Sequence, residues 1–285
     1  MPAVLLAGQP VFRGSVEAVR LDVSVMRGAT PVAGLTADDF VVSDNGIPQE
    51  VAQVTQEAAP LDLLLVLDTS GSMAGAPLAA LVAAAQRMVQ SLTPGDRVGL
   101  VAFSGHIAMP TALTSNHVDV VRALGMLRAA GPTALRDALF AGLHLLTPGG
   151  DTRPVIVLFS DGRDTTSWLA APDLEGVVRR SGVVLHAVEL LRDPRLTPGR
   201  ARVAGMGQSR SLQRAVEAGG GRLWSAGRPD ELERRFASAL AELRARYLVT
   251  YQPRGVSAPG WHEVVVRLRR IRADVLTRPG YFVPE

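Results

Sequence analysis

The chain has no cysteine and no lysine. Without thiols, disulfides, a thiol nucleophile and thiolate metal sites are all excluded. Without lysine, a Walker-type phosphate loop and Schiff-base chemistry are excluded as well. All 30 basic residues are therefore arginine, which accounts for part of a sequence pI near 10.1. Aromatic residues are scarce at 5%, and a formal net charge of +3 is too mild to call for nucleic acid as a partner. No apolar stretch is long enough to span a bilayer, so no transmembrane segment is expected. The opening MPAVLLAGQPVF is apolar but lacks a basic n-region. It reads either as the stub of a signal peptide or as an unstructured terminus. What the chain does have is apolar bulk, 47% of 285 residues, enough for one large domain or two modest ones.

The most informative stretch runs from Asp62 to Met73, DLLLVLDTSGSM. Leu63–Leu67 is an unbroken apolar run, as expected of a strand buried on both faces of a parallel sheet. Asp68, Ser70 and Ser72 follow at alternate positions, and Pro77 suits the first turn of a helix. An acid and two hydroxyls thus sit between the carboxyl end of a strand and a helix, where open α/β sheets bind ligands. Oxygen-only donors suit a hard divalent cation such as Mg²⁺. An ordinary Asp/Ser turn capping a helix is the competing reading.

Connectivity adds two more oxygens. A helix over 78–92 leads to a second buried strand, RVGLVAFS (97–104), which must run parallel to the first. HIAMPTAL (106–113) returns as a hairpin partner, confined to a sheet edge by Pro110. A helix over 118–128 climbs back, so Gly131-Pro132-Thr133 arrives on the face that holds Asp68. A helix over 134–146 then descends, and strand VIVLFS (155–160) rises to end at Asp161.

The spacing D-x-S-x-S at Asp68, Ser70 and Ser72, Thr133 in GPTALRDAL and Asp161 in LFSDG resemble the von Willebrand factor type A (VWA) family. Gly95-Asp96-Arg97 and Asp137 are further family-like features, and the resemblance covers about residues 58–246. It implies an α/β fold: a doubly wound, mostly parallel sheet with one antiparallel edge strand. It also implies a metal-ion-dependent adhesion site. There Ser70 and Ser72 would coordinate directly, and Asp68, Thr133 and Asp161 would do so directly or through water. The cofactor would be Mg²⁺, with Mn²⁺ or Ca²⁺ as alternatives. An open coordination position would accept the Asp or Glu side chain of a protein partner.

The remaining segments read as β structure. VEAVRLDVSVM (16–26) alternates, Thr36 heads a short helical turn, and Asp44-Asn45-Gly46 marks a hairpin. Asp38, Asp39 and Asp44 read as turn chemistry rather than a Ca²⁺ site. After helices near 173–181 and 211–218 and a last helix over 229–244, YLVTYQP (247–253) and HEVVVRLRRIR (262–272) are strands again. Strands from one end alone could not bury a face. Residues 11–57 and 247–285 are therefore expected to form one small β-sandwich-like module, with the α/β domain at 58–246 inserted between them. That layout resembles bacterial VWFA-related proteins. The resemblance leans toward a secreted or periplasmic location, whereas the opening residues lean the other way.

Two long loops should flank the site: Arg163–Pro172 with Trp168, and Leu191–Arg210 with Arg192, Arg195, Arg200, Arg202 and Arg210. These arginines would form a positive rim that steers an acidic partner; a solvated, mobile loop is the alternative. The RLRRIR run, with Arg267 and Arg269, reads as a solvated strand face. An enzyme is not expected. A G-x-S-x-G elbow is absent, and His106, His144 and His186 fall on scattered positions without a placed base. A structural subunit whose metal merely staples loops is the third reading.

Overall fold

The computed structural model describes residues 18–56, 59–146, 152–191, 199–256 and 259–284, with backbone alone over 199–208. In chain order the first strands are β1 (Val19–Arg27), β2 (Thr30–Pro31), β3 (Phe40–Asp44), β4 (Ile47–Gln49) and β5 (Val51–Thr55). Then come β6 (Leu61–Asp68), α1 (Ala76–Gln90), β7 (Arg97–Phe103), β8 (Ile107–Thr114), α2 (His117–Gly125), α3 (Leu135–Leu145) and β9 (Arg153–Ser160). They are followed by α4 (Ala171–Ser181), β10 (Val184–Leu190), α5 (Gly199–Ala218), β11 (Leu223–Ala226) and α6 (Leu232–Arg244). The chain ends with β12 (Tyr247–Tyr251), β13 (Gly260–Leu268), β14 (Asp274–Leu276) and β15 (Gly280–Val283).

The middle of the chain builds a six-stranded sheet in the order β11-β10-β9-β6-β7-β8. All neighbours are parallel except β8, which runs antiparallel at the edge as Pro110 requires. Every residue of β6 is buried, and the two-residue period splits its apolar run between two cores. Leu61, Leu63, Leu65 and Leu67 face α1, α2 and α6; Leu64 and Val66 face α3, α4 and α5. On α1 the stripe Leu81, Ala84, Ala85, Met88 and Val89 meets the first core. On the other face Gly142 lets α3 approach closely; a Cβ there would stand 3.2 Å from Leu64 Cδ2.

The two ends of the chain pair with one another. β1 lies against β12, with Leu21 opposite Val249, and β13 lies against β3, with Val266 opposite Val42. The resulting sheets, β14-β1-β12-β5 and β15-β13-β3-β4, contribute to one hydrophobic cluster that includes Val23, Phe40, Tyr247 and Val264. Thr36 caps a 3-10 turn through a reciprocal bond with Asp39, and the Asn45-Gly46 turn joins β3 to β4. Asp44 is not turn chemistry. It is fully buried, accepts the hydroxyls of Tyr251 (2.8 Å) and Tyr281 (2.7 Å), and meets His262 Nδ1 at 2.9 Å. The strand expected over 262–272 ends at Leu268; Arg267 is exposed on it and Arg269 is exposed one residue beyond it.

Two further sequence readings need correction. The loop assigned to Leu191–Arg210 is helical from Gly199, so Arg200, Arg202 and Arg210 lie on α5. Gly199, Gly205 and Gly207 hide a segment otherwise rich in Arg, Ala, Met and Gln, which favour helix. The last helix begins as a 3-10 turn at Pro229–Glu231 and becomes α-helical at Leu232.

Two buried titratable groups contribute to the acid limb of stability. Burial works against the Asp96 carboxylate, but Arg244, the amides of Leu61 (2.9 Å) and Thr93 (2.7 Å) and the Thr93 hydroxyl hold its pKa to about 2. His186 is fully buried, which pushes its pKa well below 6.5, and the Arg246 guanidinium adds to that. Its Nδ1 accepts the Arg222 amide at 2.9 Å, so the neutral Nε2–H tautomer is the one present. Both folded-state values are depressed, so both contributions are complete at high pH and lost on acidification. The His186 share declines as pH falls below 6.5, and the Asp96 share, up to about 2 kcal/mol, between 3.8 and about 2. Thermal unfolding from pH 8 to 3 should show the midpoint falling first near 6.5. In His186→Gln that first fall should disappear; its persistence would contradict the assignment.

Candidate metal centre

Chain order places β7 on one side of β6 and β9 on the other, so the sheet switches direction between β6 and β9. A crevice forms at such a point, outside the carboxyl ends of the strands. Leu67 pairs with Phe159 across it, which brings Asp68 level with Ser160 and puts Asp161 one residue beyond. Asp68 is fully buried; its Oδ1 accepts the Ser70 amide at 2.8 Å and its Oδ2 the Ser160 hydroxyl at 2.7 Å. The turn then carries Ser70 and Ser72 outward. Their hydroxyl oxygens are 3.0 Å apart, and the Ser72 hydroxyl donates to Asp161 Oδ2 at 2.7 Å.

The loop that carries Thr133 is tied to this crevice by backbone hydrogen bonds. Gly71 N–H donates to Gly131 O (2.9 Å), Ala130 N–H to Thr69 O (2.8 Å), and Ala134 N–H to Ser104 O (2.8 Å). Thr133 itself is buried, and its carbonyl accepts the amides of Thr165 (2.8 Å) and Thr166 (3.1 Å). The 69–71 turn, the 130–134 loop and the loop after β9 are therefore one bonded assembly.

That last loop is pinned, not loose. Asp164 and Ser167 accept the Arg136 amide at the start of α3, while Asp137 accepts the amides of Trp168 (3.1 Å) and Leu169 (3.0 Å). Arg136 also donates to Leu169 O at 2.6 Å. The Trp168 side chain is 74% exposed and its ring stands edge-on to Phe140, 5.9 Å between centroids. The Trp168 side chain therefore packs beside Phe140 of α3. Arg192 and Arg195 lie outside the described residues, as do the side chains of Arg200 and Arg202.

Two residues that sequence reasoning passed over belong here. Ser160 orients Asp68 and also accepts the Gly162 amide at 3.1 Å. Glu189, at the end of β10, is buried and pairs in register with Ser160. Gly162 has a positive φ of 75°, and a Cβ there would collide with the Glu189 carboxylate, which also accepts the Ser209 hydroxyl. A lone carboxylate ending the apolar strand VVLHAVEL was the available signal.

Burial raises the pKa of Asp68 above the usual carboxylate value; hydrogen bonds from Ser70 and Ser160 pull it back, and the charge of Asp161 raises it further. Burial likewise raises Glu189, with Ser209 opposing and Asp161 adding to the rise. Like charges out of water are costly, and a cation relieves that cost.

Among the described residues no three His, Cys, Asp or Glu side chains gather around a metal position. The donor set is instead two carboxylates with hydroxyls. Neighbouring ligands of an octahedral Mg²⁺, each about 2.1 Å from the ion, stand about 3 Å apart. The Ser70–Ser72 and Ser72–Asp161 oxygen separations, 3.0 and 2.7 Å, match that edge. Those three oxygens are spaced as one face of a small hard cation's shell would need.

Residues 63–163 match the von Willebrand factor type A domain family. A UPF0353 protein of Mycobacterium tuberculosis is 35% identical over 116 residues, 36% of this chain. The match spans only about a third, 35%, of the length of that relative. Among solved structures, a von Willebrand factor type A protein from Catenulispora acidiphila superposes over 97% of this chain and 76% of its own, TM-score 0.53 at 14% identity. Proximal thread matrix protein 1 of the mussel byssus, with zinc in its MIDAS motif, covers 70% of this chain and 49% of its own, TM-score 0.54 at 16% identity. BatB from Bacteroides thetaiotaomicron covers 64% of this chain and 98% of its own, TM-score 0.51 at 15% identity. These likenesses establish a shared fold.

Proposed function

We infer that this chain, which carries a von Willebrand factor type A domain, is a metal-dependent protein-binding module rather than an enzyme. The observation that carries the reading is the oxygen chain Ser70–Ser72–Asp161, whose spacings suit the edge of an octahedral ion. Ser70, Ser72 and Asp161 would hold the cation. Asp68, with both oxygens already accepting hydrogen bonds, would supply charge and orient Ser70 from beneath. Thr133, on the loop bonded to Gly71, would complete the set. Bound Mg²⁺ supplies Lewis acidity and an exchangeable position. Asp68 and Asp161 would balance its charge, and the group recognised there would be the Asp or Glu carboxylate of a protein partner.

Several features favour binding over turnover. The Ser70 and Ser72 hydroxyls are spent on each other and on Asp161, with no imidazole among their hydrogen-bond partners in the described residues. The one carboxylate that accepts the Ser72 hydroxyl, Asp161, would be committed to the cation. The domain would sit within a sandwich-like module formed by residues 11–57 and 247–285, for which the β1–β12 and β3–β13 pairings are the support. Among the described residues no helix is long and apolar enough to cross a membrane.

Calorimetric titration should detect one Mg²⁺ per chain, with Mn²⁺ and Ca²⁺ as comparisons. An Asp-containing peptide should then bind the loaded protein, and EDTA should abolish that binding. Metal uptake without any peptide or protein ligand would favour the loop-stapling reading. Hydrolytic turnover would favour an enzyme.

A further inference from the structure

A cavity of about 590 Å³ lies at the opposite edge of the sheet, by the amino ends of β6, β9 and β10. Its far wall is formed by Arg20, Asp22 and Leu248 on β1 and β12, and by Arg278 from the turn before β15. Ligand cavities span a few hundred to about a thousand Å³. The floor is apolar, with Pro60, Pro154, Val178, Val183 and Val184.

Four arginines line this cleft against one acid, Asp22. Asp22 is already shared by two guanidiniums, Arg153 at 2.5 Å and Arg246 at 2.6 Å. Arg153 also donates to Leu243 O at 2.8 Å. Arg179 is held by Glu175 at 3.3 Å and lies over the Trp261 ring, 5.3 Å from its centroid. Arg20 and Arg278 remain, with no carboxylate in salt-bridge range among the described residues. The Arg278 Nη2 donates to the Arg20 carbonyl at 3.0 Å, which ties both residues to the same stretch of β1. Among the described residues the Arg278 Nε has no hydrogen-bond acceptor. The guanidinium fork is the side chain best matched to carboxylate or phosphate oxygens.

We propose that this cleft binds a small organic anion, its carboxylate or phosphate head held by Arg20 and Arg278 and its apolar body against Pro60, Pro154 and Val183. This site is separate from the crevice at Asp68 and needs no metal. An anion here would bridge the β1–β12 sheet and the amino edge of the central sheet, so it should stabilise the whole chain.

The test uses the full chain and three probes: hexyl phosphate, hexanoate and inorganic phosphate. One of the two amphiphilic probes should bind saturably, one per chain, and raise the thermal midpoint, with inorganic phosphate at least about tenfold weaker. Whether the phosphate or the carboxylate binds more tightly assigns the head group. Arg20 is exposed, so Arg20→Glu should fold, and it should weaken binding about tenfold or more. Arg278→Gln should do the same, and the midpoint shift reports on it even if its fold is altered. Binding should persist in EDTA and in Asp161→Ala. Absence of saturable binding by all three probes, undiminished binding in Arg20→Glu, or loss of binding in EDTA would each overturn the proposal.

Discussion

Alanine in place of Asp161 is expected to lower Mg²⁺ affinity about a hundredfold or more while leaving the metal-free protein folded. Asp161 supplies one of the two carboxylate charges and one of the closely spaced oxygens, so its loss removes both charge balance and geometry. Its loss also removes a like charge beside Asp68 and Glu189, both raised in pKa partly by it. That relief offsets the lost bonds from Ser72 and the Arg163 amide, so stability should move by no more than about 1–2 kcal/mol. Asp68→Ala should behave differently. It strips the Ser70 amide and the Ser160 hydroxyl of their acceptor inside a fully buried turn, so metal binding and about 1–3 kcal/mol of stability should fall together. Ser160→Ala acts one step removed and should reduce affinity about tenfold. Because Asp68 titrates above the ordinary carboxylate value, metal affinity should begin to fall at a higher pH than for an exposed aspartate. Titration calorimetry paired with thermal melts separates these cases. An Asp161→Ala affinity within about threefold of the native value would remove the metal reading.

The six-stranded sheet was legible because its signals are local and its connectivity is constrained. An unbroken Leu63–Leu67 run can be satisfied only by burial on both faces, and parallel pairing forces the loops bearing Thr133 and Asp161 to the edge that holds Asp68. The pairing of the chain ends followed from a similar argument: strands with one apolar face need a partner sheet, and β1 meets β12. What escaped reading depends on distant partners. Asp44 sits in an Asp-Asn-Gly turn sequence, yet it is buried because Tyr251, His262 and Tyr281 arrive from more than 200 residues away. Glu189 is one letter in an apolar strand, and its relevance appears only through its neighbour Ser160 across the sheet. The glycines at 199, 205 and 207 concealed the start of α5 in a stretch otherwise made of helix-favouring residues.

Arg246→Ala is expected to cost about 3–5 kcal/mol and to separate unfolding into two transitions. Arg246 is fully buried two residues after α6 ends, where the central sheet passes into β12. Its Nε meets Asp22 Oδ1 of β1 at 2.6 Å, and its Nη2 donates to Gly220 O at 2.6 Å, Asp22 O at 3.3 Å and Leu276 O at 3.4 Å. Its Nη1 lies 3.4 Å from His186 Nε2 on β10 and 3.8 Å from Glu242. One guanidinium thus ties the end of α6 to β1, to β14 and to the Gly220 turn, and deletion leaves Asp22 Oδ1 and the Gly220 carbonyl without their charged donor. Arg87–Glu233 provides the contrast: both side chains are more than half exposed, and losing that pair should cost under about 1 kcal/mol. Lysine cannot reproduce the fork, so Arg246→Lys should still lose roughly half as much as alanine. A well-packed hydrophobic replacement is the demanding control, because buried ion pairs sometimes contribute nothing net. Urea unfolding of Arg246→Met within about 1 kcal/mol of native, with one transition, would mean that packing and not charge joins the sheets.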